Sequence, residues 1–117
     1  MAEVWRPIPS KPGFEASSLG RVRSWTGRIL AQAPHIGRYR RVTLCAPKSR
    51  YKDKQLVHRL VCEAFHGPAP SPDHVAAHAN DIGHDNRPDN LRWATHRENV
   101  ADLIRNGRMH IGGRAYA

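Results

Sequence analysis

A chain of 117 residues with nineteen Lys and Arg against ten Asp and Glu, a formal net charge of +9, is sized for one small core and basic enough to seek a polyanion. Two cysteines, Cys45 and Cys62, without a C-x-x-C pair, exclude a disulfide framework and a cysteine-built zinc site. No signal peptide, no basic amphipathic helix with a broad aromatic face and no apolar run near 18 residues is present. These absences set membrane readings aside and leave nucleic acid as the expected partner of a cytoplasmic protein.

Residues 1–50 read as a small antiparallel β unit. Four short strands, at 13–17 (GFEAS), 20–25 (GRVRSW), 28–33 (RILAQA) and 39–44 (YRRVTL), are separated by Gly, Pro and Ser turns. Alternation sends Val22, Trp25, Val42 and Leu44 inward and turns Arg21, Arg23, Arg38, Arg40 and Arg41 outward. Trp25 and Trp93 are expected as core anchors.

A helix is predicted over Lys54 to Phe65, because Val57, Leu60, Val61, Ala64 and Phe65 form one apolar stripe. Asp53 is placed to cap its start and Gly67-Pro68 to stop it. Cys62 is expected in the core, and His58, beside the stripe, as a packed structural histidine. After a turn-rich linker (68–74), a hairpin is predicted with strands 74–79 and 89–93 and a loop over 80–88. Thr95 and Glu98 have capping-box spacing, so a second helix starts at His96, with Val100, Leu103 and Ile104 inward and Asn106-Gly107 at its end. The tail 108–117 lacks periodicity and is expected to be extended or disordered. The fold class is α+β: an N-terminal β unit (1–50), a hairpin–helix core with its linking helix (51–107) and the tail (108–117).

The hairpin and second helix carry the chemistry. His78 is followed by Asn90 on the second strand and Asn99 on the helix. Hydrolysing a phosphodiester needs an activated water, an electrophile on the phosphate and help for the leaving oxygen. A neutral imidazole supplies the first, and one divalent cation supplies the others. Magnesium keeps several waters and needs only one or two protein oxygens, which a carboxamide provides without adding negative charge. Asn99 lies roughly 40° from Leu103 around the helix, so a buried stripe would turn it towards the strand carrying His78. The candidate roles are His78 as general base, Asn99 as metal ligand and Asn90 as the residue holding the hairpin loop.

Together these segments resemble the HNH endonucleases of the ββα-metal, or His-Me finger, class, specifically those of phages and phage introns. The resemblance rests on VHRLVCEAFHGP (57–68), HVAAHANDIGHDNRPDNLRW (74–93) and ATHRENV (94–100). EVWRPIPSKPGFEASSLGRVRSWTGRIL (3–30) resembles the nuclease-associated modular domain that precedes such units. What the resemblance implies is metal-dependent cleavage or nicking of double-stranded DNA with Mg, or Mn in its place, leaving 5′-phosphate and 3′-hydroxyl ends. His78 falls on the family's catalytic histidine, Asn90 on its middle asparagine and Asn99 on its helix metal ligand. Arg21, Arg23, Arg40, Arg41, Arg87, Arg92 and Arg97 are the expected phosphate contacts. The implied setting is the host cytoplasm of a phage-encoded enzyme, with a second copy or a phage protein as an optional partner. The chain departs from the family at Ala77, where homing members often carry an aspartate ligand; Asp81 and His96 are the candidate substitutes. That departure keeps two other readings open: a DNA-binding module with a degenerate nuclease fold, and an RNA-directed protein using the same basic face.

Overall fold

Every strand in this chain is short, and a two- or three-residue strand cannot bury enough surface to stand alone. The solution, seen in a computed structural model that describes residues 3–36, 38–45, 52–80 and 82–105, is to gather three small antiparallel sheets around one helix. The first sheet has strand order β1 (Trp5–Pro7), β2 (Glu15–Ser17), β3 (Val22–Arg23); the second has β4 (Ala33–His35), β5 (Tyr39–Leu44), β6 (Asp53–Leu56). The third is a two-stranded hairpin, β7 (His74–His78) with β8 (Leu91–Thr95), and α2 (His96–Arg105) follows it directly.

The shared helix is α1 (Val57–His66). Its stripe residues Val57, Leu60 and Val61 are buried together with Cys62. Around them lie Ile8, Phe14, Ala16 and Val22 from the N-terminal segment, Val42 and Leu44 from β5, and Ala76 and Leu91 from the hairpin, with Phe65 and Trp93 partly buried at the margin. The core is therefore continuous from the first sheet to the last. Gly67, at φ +83, ends α1, and its N–H donates to Glu63 O at 3.0 Å. No helix among the described residues is long and apolar enough to cross a membrane.

The antiparallel β unit, linking helix and hairpin–helix are present, but several boundaries move. Residues Asp53–Leu56, expected in the helix, pair as β6 with β5 in the register Leu44↔Asp53 to Arg41↔Leu56. Asp53 is thus not a helix cap: its carboxylate accepts from Lys11 Nζ and Gln55 Nε2, both at 2.7 Å. The open edge of β5 offers four residues a ladder of hydrogen bonds, and that outweighs a modest helix propensity. The strand expected at 28–33 is reduced to a single bridge, Arg23↔Ile29. Its place is taken by β4, an edge strand that tolerates Pro34 because a proline there need donate nothing.

Trp25 is a correction as well. Residues 24–27 turn, Gly27 N–H donating to Ser24 O at 2.8 Å, and this leaves Trp25 54% exposed rather than in the core. Trp93 does anchor: its indole Nε1 donates to Gly67 O at 2.7 Å while its ring packs on the core. A 3-10 turn over Pro88–Asn90 delays the second hairpin strand to Leu91. The capping box forms as expected, Thr95 N–H donating to Glu98 Oε1 (2.9 Å) and Glu98 N–H to Thr95 Oγ1 (3.3 Å). Asn106-Gly107, the tail and Asp81 lie outside the described residues.

Leu60, 1% exposed at the centre of the shared core, gives a direct test of the one-core architecture. Leu60→Ala is expected to cost about 2–5 kcal/mol and to lower the urea midpoint in one transition, read alike by tryptophan fluorescence and far-ultraviolet circular dichroism.

Candidate active site

His78 is the last residue of β7 and stands opposite Leu91. Alternation along the hairpin places His74, Ala76 and His78 on the face that meets α1, since Ala76, Leu91 and Trp93 all join the core cluster there. Val75 and Ala77 take the opposite face, which is left for α2; α2 packs on both β7 and β8. Asn99 is fourth in α2 and half-buried. The imidazole of His78 points to the α1 face, away from α2.

That imidazole is 9% exposed and held on two sides. Its Nε2 lies 2.8 Å from Asn86 Oδ1. An amide oxygen only accepts, so Nε2 carries the proton and donates, which sets the ring as the Nε2–H tautomer. The ring stacks on Tyr39 (centroids 6.0 Å) and lies 4.9 Å from the ring of His58, which is itself 5.0 Å from Tyr39. His58 is buried, as expected of a packed histidine, and its Nδ1 has no hydrogen-bond partner. Burial, reinforced by His78, Arg59 and His35, pushes its pKa down to about 3, so it sits neutral against His78.

The loop between the strands is tied by Asn90, which is 7% exposed. Its Oδ1 accepts from Asn80 N–H (3.1 Å), and its Nδ2 donates to Asn80 Oδ1 (2.9 Å) and to Asp85 O (2.8 Å). Its carbonyl accepts from Ala79 N–H at 2.8 Å. The side chain of Asn90 thus closes the loop and touches neither His78 nor α2 in these bonds. Asp85 accepts from Asn80 Nδ2 (2.7 Å) and from Arg87 Nε and Nη2 (2.8 and 2.9 Å). Arg87 first, then Asn80, hold the Asp85 carboxyl down to about 2.

The expected phosphate-contacting arginines fall into two groups. Arg21 pairs with Glu3 and Arg23 with Glu15, both with guanidinium carbons over the Trp5 ring at 5.8 and 4.3 Å; Arg87 pairs with Asp85, and Arg92 with Glu98 at 3.6 Å. Arg40 and Arg41 are half-buried and Arg97 is exposed, with no ion pair among the described residues. His96, the other candidate ligand, is exposed at the first position of α2. Among the described residues no three His, Cys, Asp or Glu side chains converge as a metal cluster. The donors at hand are carboxamide and water, a set that suits a hard, hydrated divalent cation and not a thiolate- or imidazole-seeking one.

Sequence reasoning did not single out Asn86 or Tyr39. Asn86 was one of several turn-forming side chains in the loop, and nothing in the pattern marked which would face the histidine. Tyr39 opens a strand far away in sequence, and only the tertiary packing shows its ring behind His78.

A histidine-tipped hairpin running without a break through a capping box into a helix that folds back on it is the ββα architecture. Comparison with known proteins is consistent with this: residues 55–101 match the HNH endonuclease family, and residues 3–45 match the NUMOD4 motif. The chain carries an HNH endonuclease domain, matched over residues 55–101. It is 35% identical, over 119 aligned positions, to an uncharacterised HNH endonuclease of Acanthamoeba polyphaga mimivirus, covering 97% of this chain and 29% of that protein. Its fold matches the HNH homing endonuclease I-HmuI, solved in a study of DNA binding and cleavage by that enzyme, with a TM-score of 0.76 and 26% identity over 93% of this chain and 62% of the other. The chain thus spans under a third of its viral relative and less than two thirds of the solved enzyme.

His58 makes stability depend on pH. Its folded pKa lies below the unfolded value of 6.5, so the unfolded chain binds the extra proton and stability falls as pH drops below 6.5. Between pH 7 and 5, above the carboxylate range, this amounts to about 2 kcal/mol. Thermal melts should show that loss in the native chain, and a flatter profile in His58→Phe.

Proposed function

We propose that the chain is a metal-dependent DNA endonuclease that nicks duplex DNA and leaves 5′-phosphate and 3′-hydroxyl ends. The observation that carries this reading is the state of His78: a buried imidazole, fixed through Nε2 by Asn86, at the end of the hairpin in a chain with an HNH domain. Such a ring is held in one tautomer and cannot readily rotate away from its task. In this mechanism Nδ1 of His78 takes the proton of a water as that water attacks the scissile phosphorus in line with the 3′ oxygen. Asn90 keeps the loop closed while the charge develops. Asn99 would hold a divalent cation, magnesium, or manganese in its place.

When bound, that cation withdraws charge from the phosphate and stabilises the departing 3′ oxygen. HNH nucleases generally work with a divalent metal, and the carboxamide of Asn99 fits one. Ala77 is the weak point, because its buried methyl lies on the α2 face where homing members have a second oxygen donor. The site therefore holds its metal loosely and works at higher metal concentrations than a site with two protein ligands.

The basic face holds the substrate. Arg21, Arg23, Arg40, Arg41, Arg87, Arg92 and Arg97 contact phosphates, with the β unit of residues 1–50 gripping the duplex and residues 51–107 cutting it. Ion pairs of the Arg21–Glu3 or Arg87–Asp85 kind, with solvent-screened guanidinium groups, are weak, so a phosphate displaces the carboxylate at little cost. One site per chain cuts one strand; a second copy or a protein partner is needed for both. The competing reading, a DNA-binding module without activity, is favoured by Ala77 alone.

Supercoiled plasmid incubated with Mg, Mn or EDTA separates the two. Metal-dependent open circles are expected, with His78→Ala slower by about 10²–10⁴-fold and Asn99→Ala active only at much higher Mg. Ala77→Asp is expected to lower the Mg concentration needed for half-maximal rate. Plasmid left intact under every metal, alongside a salt-sensitive gel shift, would establish the binding module instead.

A further inference from the structure

Two close approaches join the β7–β8 loop to the N-terminal half of the chain, and both end on groups that hold His78. The first is at Gly20, in the turn between β2 and β3. That turn is wound on Ser17: Ser17 N–H donates to Arg21 O (2.8 Å) and Gly20 N–H to Ser17 O (3.0 Å). Ser17 Oγ accepts from the N–H groups of Leu19 and Arg21 at 3.2 and 3.0 Å. The winding leaves Gly20 at φ +82, where a side chain is strained, and presses its bare backbone on the loop. A Cβ there would stand 2.9 Å from Asn86 Cβ and 3.1 Å from Asn86 O. Gln32 Nε2 donates to Gly20 O at 2.9 Å and fixes the turn from behind.

The second approach is at Gly83, on the same loop. A Cβ there would run into the Arg38 carbonyl oxygen and stand 3.0 Å from Tyr39 Cδ1. Tyr39 is the ring stacked on His78. The loop is thus seated against the N-terminal β unit at two places where only a glycine fits. Between them lie the hydrogen bond and the aromatic face that position the imidazole.

A carboxamide on a loop of turn-forming residues has rotamers to spare, and it accepts from His78 Nε2 only while its backbone is held. Asn86 is 3% exposed because Gly20 lies flat against it. We propose that the N-terminal β unit is a positioning part of the nuclease site: Gly20 seats Asn86, Asn86 sets the tautomer and orientation of His78, and Tyr39 backs the ring. The proposal rests on the reading of His78 as general base. Neither Gly20 nor Asn86 touches the reacting atoms; both act through the imidazole. A merely structural role for them would change stability and leave the tautomer alone.

The test pairs nitrogen-15 spectra of the histidine rings with plasmid nicking, both on the full chain, for Asn86→Ala, Asn86→Asp and Gly20→Ala. In the native chain His78 is expected as the Nε2–H tautomer. Asn86→Ala and Gly20→Ala should populate the Nδ1–H form and lower kcat on the order of 100-fold, the scale of a misplacement of about 1 Å, with KM changed less than about twofold. Asn86→Asp keeps an acceptor at the same place and should retain both tautomer and most of the rate. Native tautomer and native kcat in a folded Asn86→Ala would overturn the proposal. If Gly20→Ala does not fold, the ring spectrum of Asn86→Ala decides alone. Undiminished nicking by His78→Ala would remove the general-base reading, and with it the catalytic half of the proposal, whereas the tautomer spectra would still decide whether Asn86 sets the ring.

Discussion

The apolar stripe of α1 is the constraint from which the rest follows. None of the three sheets is large enough to form a core of its own, so each turns its inner residues to the same ten-residue helix. Because Ala76 and Leu91 sit on that stripe, the hairpin's orientation is fixed before any active-site residue is placed. Because Ile8, Phe14, Ala16 and Val22 sit on it too, the N-terminal β unit is bound to the hairpin through shared burial. A buried histidine at the hairpin's end is then a consequence of period-two alternation: the face that holds Ala76 also holds His78.

This arrangement explains a division of labour across the hairpin. The α1 face is dry and aromatic, with Tyr39, His58 and His78 in mutual ring contact. Its neighbours impose a neutral state on His58 and a fixed stance on His78. The α2 face carries Ala77 opposite Arg92, which pairs with Glu98 at 3.6 Å. The two faces of one strand thus have different surroundings. The loop asparagines belong to neither side; Asn90 and Asn80 close the loop, and Asn86 ties it to His78.

Much of this was legible in the residues, and the parts that were not have physical reasons. The stripe of α1, the capping box at Thr95–Glu98 and the hairpin of residues 74–95 are local signals, carried by spacing and by side chains close in sequence. His78, Asn90 and Asn99 stood out for the same reason. What failed was competition between neighbours. Asp53–Leu56 has a tolerable helical pattern, but the strand at Tyr39–Leu44 needed a partner, and tertiary pairing overruled the pattern. Trp25 follows the alternation of a strand that a tight turn ends two residues early. Asn86 and Tyr39 were invisible because their value lies in what they meet across the fold.

The two cysteines end in opposite circumstances. Cys62 is fully buried on α1, and burial pushes its thiol up to about 12, so at neutral pH it carries no thiolate to react. Cys45 is exposed just beyond β5. A maleimide or a spin label would therefore modify the chain at a single position without entering the core. The native protein comes with its own attachment point, at the end of the strand that begins with the tyrosine stacked on His78. A dye there could report on changes at the β unit with no cysteine engineered in or out.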